Sequence, residues 1–370
     1  MLYYLLYSLH DYFSVFNVVR YITFRTAYAS MTALLICLLL GPPLIAWLKR
    51  FQIGQQIRED GPTGHQKKSG TPTMGGILIL VSIAIPTLLW ADLTNLYIWL
   101  ALISLFLFGG IGFLDDYFKL AKKRSLGLTA RQKISLQVFF SLIIAFVLIW
   151  LNRAGLFSTE LSVPFFKKFT PDLDMVIIGF STFIPLIIFV LIIIVGSSNA
   201  VNLSDGLDGL AAGLVVIAAT ALTALTYVTG HATFAEYLGL IKNVYASELA
   251  IFCGAMAGAS LGFLWYNCHP ADVFMGDVGS MSLGGAIGTV AILIKQELML
   301  FFIGSIFVLE ALSVILQVGS FKLRGKRIFK MAPMHHHFEL SGWDESKVVI
   351  RLWIAAIIAA LLSLSTLKLR

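Results

Sequence analysis

The chain has 370 residues, of which 58% are hydrophobic and only 13% are charged, and its formal net charge is +7. A mean hydropathy of +0.87 lies far outside the range of water-soluble globular proteins and predicts several membrane spans. The positive charge does not indicate a nucleic-acid-binding protein, because the basic residues are concentrated in a few segments between apolar stretches and form no basic domain.

Residues 1–20 precede the first long apolar stretch. They lack a leading basic cluster and a small-residue cleavage site, so they do not match a secretory signal. Because His10 and Asp11 interrupt the apolar residues, we predict an interfacial helix here rather than a span.

Ten apolar runs have the length of a transmembrane helix. The predicted spans are 26–48, 73–91, 97–114, 134–151, 179–196, 210–228, 249–265, 279–294, 298–318 and 348–367. The sequence therefore predicts an all-α, polytopic integral membrane protein with about ten transmembrane helices. No linker or repeat divides it, so residues 1–370 are predicted to form a single membrane-embedded domain.

The basic residues predict the orientation of these spans. More than half of the 27 Lys and Arg residues lie in segments 49–72, 115–133 and 319–347. The positive-inside rule makes these segments cytoplasmic loops. Ten spans then place both termini outside and the loops 197–209 and 266–278 on the cytoplasmic side. On the outside we expect a small hairpin, formed by residues 161–166 and 175–178.

Acidic residues occur where predicted spans stop, and acids at such depth are costly and usually functional. Asp115 and Asp116 follow the third span, and Asp277 precedes the eighth. Segment 196–210, G-S-S-N-A-V-N-L-S-D-G-L-D-G-L, is interpreted as a polar insert after the fifth span. Its alternative role is helix capping, with Ser204 or Asp205 as N-cap and Asp208 in a capping box.

Asp115 and Asp116 are adjacent, and two such carboxylates repel by about 4 kcal/mol near 4 Å at an effective dielectric of 20. In one interpretation, Asp116 pairs with Lys119 or Lys122 while Asp115 is protonated. In the other, these carboxylates and Asp277 share a hard cation, for which Mg²⁺ is suited because it prefers oxygen ligands and phosphate substrates.

Two further segments carry groups that suit anions. Lys68 lies in a basic loop that leads through T-P-T-M-G-G at 71–76 into the second span, so ammonium and backbone donors converge at a helix start. A solvated loop is the alternative. His335, His336 and His337 lie in the last basic loop, and phosphate contact or proton transfer is favoured over a transition-metal site or plain surface histidines.

Glu310 and Gln317 are seven residues apart in the ninth span and share a helix face. This spacing indicates a face that lines a polar cavity, or one that hydrogen-bonds to another helix. Phe274, just before Asp277, is interpreted as a platform for a flat ring or as an interface anchor.

Five motifs together resemble one family. They are T-P-T-M-G-G at 71–76, L-D-D at 114–116, N-A-V-N-L-S-D-G-L-D-G-L at 199–210, N-C-H-P-A-D-V-F-M-G-D-V-G-S at 267–280 and P-M-H-H-H-F-E at 333–339. In this order and at these span positions they resemble the phospho-N-acetylmuramoyl-pentapeptide-transferases, within the polyprenyl-phosphate N-acetylhexosamine-1-phosphate transferase superfamily.

The resemblance implies an Mg²⁺-dependent enzyme of peptidoglycan synthesis in the bacterial inner membrane, with its active site on the cytoplasmic face. It would transfer phospho-MurNAc-pentapeptide from UDP-MurNAc-pentapeptide to undecaprenyl phosphate, giving lipid I and UMP. Membrane lipid is an expected partner, nucleic acid is not, and a homodimer is left open.

By the same resemblance, Asp277 is expected to bind the metal. The expected catalytic residues are Asp115, Asp116, Asp277, His335, His336 and His337. The expected substrate-binding residues are Lys68, Thr73, Asn202, Asp205, Gly206, Leu207, Asp208, Asn267, Phe274 and Gln317.

Two other functions stay open at this point. The first is a UDP-GlcNAc:polyprenyl-phosphate GlcNAc-1-phosphate transferase of the same superfamily. The second is a cation- or proton-coupled transporter, which would place acids near the middle of spans, whereas here only Glu310 lies deep.

Overall fold

The computed structural model of the chain describes residues 1–50, 70–121, 127–166, 169–177 and 180–369. Within these ranges the α-helices are α1 (Leu2–Ser8), α2 (Ile22–Arg50), α3 (Gly76–Trp90), α4 (Leu96–Ala121), α5 (Ala130–Arg153), α6 (Ile184–Ser204), α7 (Leu210–Gly230), α8 (Ala232–Leu238), α9 (Leu249–Asn267), α10 (Gly276–Leu293), α11 (Glu297–Ile303), α12 (Ser305–Arg324), α13 (Met334–Glu339) and α14 (Glu345–Ser365).

Nine helical segments of the described ranges are long and apolar enough to cross a membrane. They comprise α2, α4, α5, α6, α7, α9, α10, α12 and α14, with short 3-10 turns extending α9 and α14. The apolar helix α3 is shorter, with 15 residues. These ten helices match the ten predicted spans in order, so the polytopic all-α fold is confirmed.

Helix α10 lies at the centre of the molecule, where 89% of its span is buried. It packs against α4, α6 and α3. Glycine, alanine and serine allow this close approach: a Cβ on Gly284 would lie 2.5 Å from the carbonyl oxygen of Ser197 in α6. Small residues serve this purpose in membranes, where helices associate by close backbone packing.

A second group of helices consists of α2, α9 and α7. Arg25 of α2 is 3% exposed and donates two hydrogen bonds to the carboxylate of Glu248, at 2.8 and 2.6 Å. The same carboxylate accepts the backbone N–H of Asp92 at 3.0 Å. One buried ion pair therefore joins α2, the α3–α4 connection and the start of α9.

Residues 1–20 form two short helices instead of one: α1 and a 3-10 helix over Ser14–Arg20. The amino group of Met1 donates to the carbonyl oxygen of Leu88 at 2.8 Å, and the hydroxyl of Tyr4 donates to Asp92 at 2.6 Å. The N-terminus is thus fixed to the end of α3.

The prediction that the fifth span ends before a polar insert at 196–210 is wrong, because α6 continues to Ser204. Polar side chains are tolerated inside this helix since they bond to its backbone or to neighbouring helices; Asn199 donates to Val195 and to Gln137. The capping prediction is also wrong. Helix α7 begins at Leu210 after Gly209, which has φ +77°, and no side chain caps it.

Helices also extend into other predicted loops. Helix α4 reaches Ala121, α5 starts at Ala130 and α12 reaches Arg324, inside the predicted loops 115–133 and 319–347. Hydropathy locates only the apolar part of a span, whereas the helix itself continues into the polar region. Most of loop 49–72 lies outside the described residues.

The ninth span is not one helix as predicted, because it breaks at Gly304 into α11 and α12. Gly304 has φ −91° and ψ 23°, away from helical values, and a Cβ there would lie 3.0 Å from the carbonyl oxygen of Leu300. Glycine favours such a break because it stabilises a helix less than other residues do.

The predicted pairing of residues 161–166 with 175–178 is wrong, although the region does contain a hairpin. Strand β1 (Met175–Ile177) pairs antiparallel with β2 (Phe180–Thr182). An isolated bridge joins Glu160 to Asp172. A tight connection between neighbouring segments closes a shorter loop than the predicted pairing would.

Candidate active site

Three carboxylates from two helices meet at one end of the bundle, which we call the site face. Asp115 and Asp116 lie near the end of α4, and Asp277 lies in the first turn of α10. One oxygen of each lies within 4.8 Å of the others. Asp115 and Asp116 are each 3% exposed. The structure brings together the aspartates that the sequence analysis grouped.

Two lysines neutralise part of this negative charge. Nζ of Lys119 lies 2.7 Å from Asp115, 3.3 Å from Asp116 and 3.1 Å from Asp277. Lys133 donates to the same oxygen of Asp277 at 2.7 Å. The predicted pairing of Asp116 with Lys119 is therefore present, and Lys119 pairs with Asp115 as well. The cation shared by the three carboxylates stays a prediction.

Sequence analysis named Lys119 only as a possible partner of Asp116, and it did not name Lys133. For Lys119 a signal existed, since it follows the two aspartates by four and three residues and shares their helix face. For Lys133 no such signal existed, because it lies on α5 and reaches the site only through helix packing.

Neutral donors fix the orientation of the carboxylates. The backbone N–H of Leu128 donates to Asp115 at 2.8 Å, and the side-chain amide of Asn202 donates to Asp277 at 2.8 Å. Asn202 also donates to Ser280 at 2.8 Å. Buried charges persist only when such partners satisfy them, so the acids have little freedom to turn.

Glycines bring the helix ends into contact at the site. Gly276 has φ +70°, and a Cβ on it would lie 2.6 Å from an oxygen of Asp116 and 2.9 Å from the hydroxyl oxygen of Thr73. A Cβ on Gly112 of α4 would collide with the carbonyl group of Asp277. Larger residues at these positions would separate α4 from α10.

The segment before α3 lies beside the start of α10. The N–H of Phe274 donates to the carbonyl of Pro72 at 2.8 Å, and the N–H of Gly75 donates to the carbonyl of Phe274 at 2.9 Å. This short ladder places Thr73 next to the aspartates and leaves Phe274 half-buried. Lys68 lies outside the described residues.

The loop 205–209 between α6 and α7 borders the same acids. Burial, followed by the nearby carboxylates of Asp277 and Asp116, raises the pKa of Asp205 to about 8. Leu207, two residues later, is 4% exposed.

Two neighbouring segments anchor the second half of this loop. The N–H of Asp208 donates to Glu345 of α14 at 2.9 Å, and the N–H of Gly209 donates to the side-chain oxygen of Asn267 at 3.1 Å. His269 Nδ1 lies 3.1 Å from a carboxylate oxygen of Asp208. Asp208, His269 and Glu345 have the spacing of a metal site, but these hydrogen bonds account for their proximity.

The three consecutive histidines of α13 have different partners, as expected for neighbours on a helix. His335 is fully buried, whereas His336 and His337 are partly exposed. In chain order, their Nδ1 atoms contact a carboxylate oxygen of Glu310 at 3.1 Å, a carboxylate oxygen of Glu339 at 2.8 Å and the backbone N–H of Lys330 at 3.2 Å.

The predicted shared face of Glu310 and Gln317 contacts the chain segment that follows α12. Gln317 accepts the N–H groups of Ile328 and Phe329 at 2.9 Å each and donates to the carbonyl of Phe329 at 2.9 Å. Glu310 holds His335 on the same segment. Both residues therefore position this segment against the helices.

The fold and the site define the class of the protein: a polytopic membrane protein with a compact group of acids and lysines at one face. Such a group suits anionic, phosphate-bearing ligands. Comparison with known proteins identifies the family within this class. The sequence model of glycosyl transferase family 4 matches residues 98–295, and phospho-N-acetylmuramoyl-pentapeptide-transferase signature 1 matches residues 68–80.

Relatives match along the whole chain. The chain is similar to proteins named phospho-N-acetylmuramoyl-pentapeptide-transferase from Koribacter versatilis (60% identical), Solibacter usitatus (60%) and Acidobacterium capsulatum (62%). Each alignment covers 100% of both sequences. The chain therefore belongs to the phospho-N-acetylmuramoyl-pentapeptide-transferase family, and it is a membrane-embedded glycosyl-1-phosphate transferase.

Proposed function

We propose that this chain transfers phospho-MurNAc-pentapeptide from UDP-MurNAc-pentapeptide to undecaprenyl phosphate, forming lipid I and UMP. The observation that carries the proposal is the group of carboxylates and lysines where α4, α5 and α10 meet. A site at the end of membrane helices can receive a soluble anion from water and a lipid phosphate from the bilayer. We take residues 1–370 as one catalytic domain.

The acids suit Mg²⁺, with Asp277 as the proposed ligand and Asp115 and Asp116 beside it. The donors are hard oxygens close enough to share one cation. Nζ of Lys119 lies within 3.3 Å of all three side chains, so the site already attracts a cation. Bound Mg²⁺ would neutralise phosphate charge and align the reacting oxygens.

Lysines and hydroxyls of the same site are proposed to bind the diphosphate. Lys119 and Lys133 carry positive charge at the acids, and Thr73 adds a hydroxyl beside Asp116. Lys68 is proposed to act with them, because the segment that follows it leads to Thr73. Ammonium groups placed in this way stabilise the charge that develops during phosphoryl transfer.

Uridine is proposed to bind at the loop 205–209 and the neighbouring start of α10. This region offers backbone groups, a flat half-buried ring and a carboxyl group with a raised pKa. The residues assigned to the nucleotide and its phosphates, in addition to the lysines, are Asn202, Asp205, Gly206, Leu207, Asp208, Asn267, Phe274 and Gln317.

The lipid phosphate is proposed to attack the β-phosphate directly. Its second ionisation lies near pH 6, so at pH 7 it is mostly a dianion and needs alignment more than activation. An oxygen–phosphorus bond forms to the lipid phosphate, and the bond to the bridging oxygen breaks, so that UMP leaves with the electron pair. Asp115 or Asp116 accepts the residual proton when the acceptor arrives as a monoanion.

A second candidate is transfer of GlcNAc-1-phosphate from UDP-GlcNAc, because the aspartate motifs are shared across the superfamily. The full-length relatives at about 60% identity favour the muramoyl substrate. A transporter is disfavoured since the three site aspartates lie at one face and Glu310, the acid predicted to lie deep in a span, is paired with His335.

Release of UMP from each UDP-sugar tests the proposal. With undecaprenyl phosphate and Mg²⁺, the purified protein is expected to release UMP from UDP-MurNAc-pentapeptide at least ~100-fold faster than from UDP-GlcNAc. EDTA should abolish the release. A preference for UDP-GlcNAc would replace the proposed substrate, and release without any lipid acceptor would contradict direct transfer.

We also propose that the protein lies in the bacterial inner membrane with the site face toward the cytoplasm and both termini outside. Thiol labelling of intact cells tests this orientation in a Cys268→Ser background, because Cys268 is the exposed native cysteine. Lys326→Cys should resist an impermeant reagent added outside, and Glu160→Cys should react. Both native side chains are exposed. The reverse pattern would overturn the orientation.

A further inference from the structure

The buried histidine of α13 has one ring nitrogen that is fully satisfied. Nδ1 of His335 lies 3.1 Å from Oε2 of Glu310, and the backbone N–H of His335 donates to the same oxygen at 3.3 Å. Both side chains are almost completely buried, at 0% and 1% exposure. Glu310 thus contacts both the backbone and the ring of His335, which fixes the orientation of the imidazole.

The other ring nitrogen faces a glycine of the loop 205–209. Among the described residues, Nε2 of His335 has no hydrogen-bond partner. A Cβ built on Gly206 would collide with Nε2 and would lie 2.8 Å from Cε1 of the same ring. The edge of the imidazole therefore packs directly against the backbone of Gly206.

This support completes the attachment of the loop. The backbone N–H groups of Asp208 and Gly209 hold the second half of the loop to Glu345 and Asn267. In the first half, the backbone N–H of Asp205 donates to the carbonyl of Asn202 in α6, and no side-chain anchor of this kind is described for it. Contact with His335 fixes where this half lies relative to the aspartates.

We infer that His335 and Glu310 are a positioning pair that holds the nucleotide-binding loop at Gly206. His335 acts on the reaction through this loop and does not itself touch the reacting phosphates, in contrast to the catalytic role expected from the resemblance. The inference rests on the proposed function, because it assigns the loop to uridine.

A double-mutant cycle on the contact tests the inference, with binding of UMP to the full-length purified protein in Mg²⁺ as the readout. Gly206→Ala and His335→Ala should each weaken UMP binding by ~10-fold. The double variant should bind no worse than the weaker single variant, because removing the imidazole makes room for the new methyl group. Additive losses would show that the two residues act independently and would overturn the pairing.

Variants of Glu310 provide a second, independent measurement. Glu310→Gln keeps an oxygen that accepts Nδ1–H, so UMP binding should stay within ~3-fold of wild type, whereas Glu310→Leu should match His335→Ala. Ser313→Ala is the matched control, because it removes a buried hydroxyl one turn away on α12 that contacts the Glu310 carbonyl and not His335. It should leave UMP binding unchanged.

The failures of the two proposals are distinguishable. If the wild-type protein does not bind UMP, the assignment of the loop to uridine is wrong and the inference falls with it. If wild type binds UMP and His335→Ala binds it equally well but loses kcat, His335 is a catalytic residue, and the positioning role alone is overturned.

Discussion

Asp277→Asn is expected to lower kcat/KM for lipid I formation by about 100-fold or more while leaving the protein folded. The carboxylate of Asp277 meets Lys119, Lys133 and Asn202 in one place. An amide there removes the anionic oxygen that is proposed to bind Mg²⁺, and its NH₂ group points a donor at the lysines. Activity and Mg²⁺ binding are measured on the same purified sample.

Asp272→Asn is the matched control for this variant. Asp272 lies five residues earlier, in the loop before α10, and its side chain is exposed. Its turnover should stay within ~2-fold of wild type because exposed charges contribute little. Asp277→Asn turnover above about a third of wild type at low Mg²⁺ would contradict the assignment of Asp277 to the metal.

Arg25→Met is expected to lower stability rather than activity. The free energy of unfolding should fall by about 3–5 kcal/mol. Arg25 is buried and makes both of its short bonds to Glu248. Without the guanidinium, the carboxylate of Glu248 is left buried with only neutral partners. Unfolding in mixed micelles, followed by circular dichroism, measures the loss, and any protein that stays folded should keep its Mg²⁺ affinity.

Two further variants isolate the ion pair as the cause. Arg25→Met combined with Glu248→Met should recover most of the stability, because an apolar pair of similar volume replaces two buried charges. Arg20→Met should change stability by less than ~0.5 kcal/mol, since Arg20 is exposed. If the double variant were as unstable as the single one, packing rather than the unpaired charge would explain the effect.

The two predictions separate the functions of buried charge in this fold. At the site face, three carboxylates share two lysines, and changing one of them is expected to affect binding and catalysis. At the other end of the bundle, one carboxylate matches one guanidinium, so changing one is expected to affect folding. The difference follows from the number of charges that share each burial site.

The sequence by itself determined the number and order of the membrane helices. Hydropathy is sufficient for this because a bilayer requires a long apolar helix at every crossing, whichever helix lies beside it. It also determined which polar segments carry chemistry, since acids such as Asp115 and Asp277 are rare at the ends of apolar spans. The resemblance of five motifs was enough to identify the family.

Tertiary structure alone decided how the helix ends meet. The end of α6 depends on contacts between helices, because polar side chains such as Asn199 bond to a neighbouring helix, and local composition does not encode these contacts. Lys133 lies beside Asp277, and His335 lies against Gly206. Each contact joins residues more than a hundred positions apart in the chain. Their proximity results from tertiary packing: α5 packs against α4 and α6, which brings Lys133 to the site, and the absence of a Cβ at Gly206 lets His335 approach the backbone.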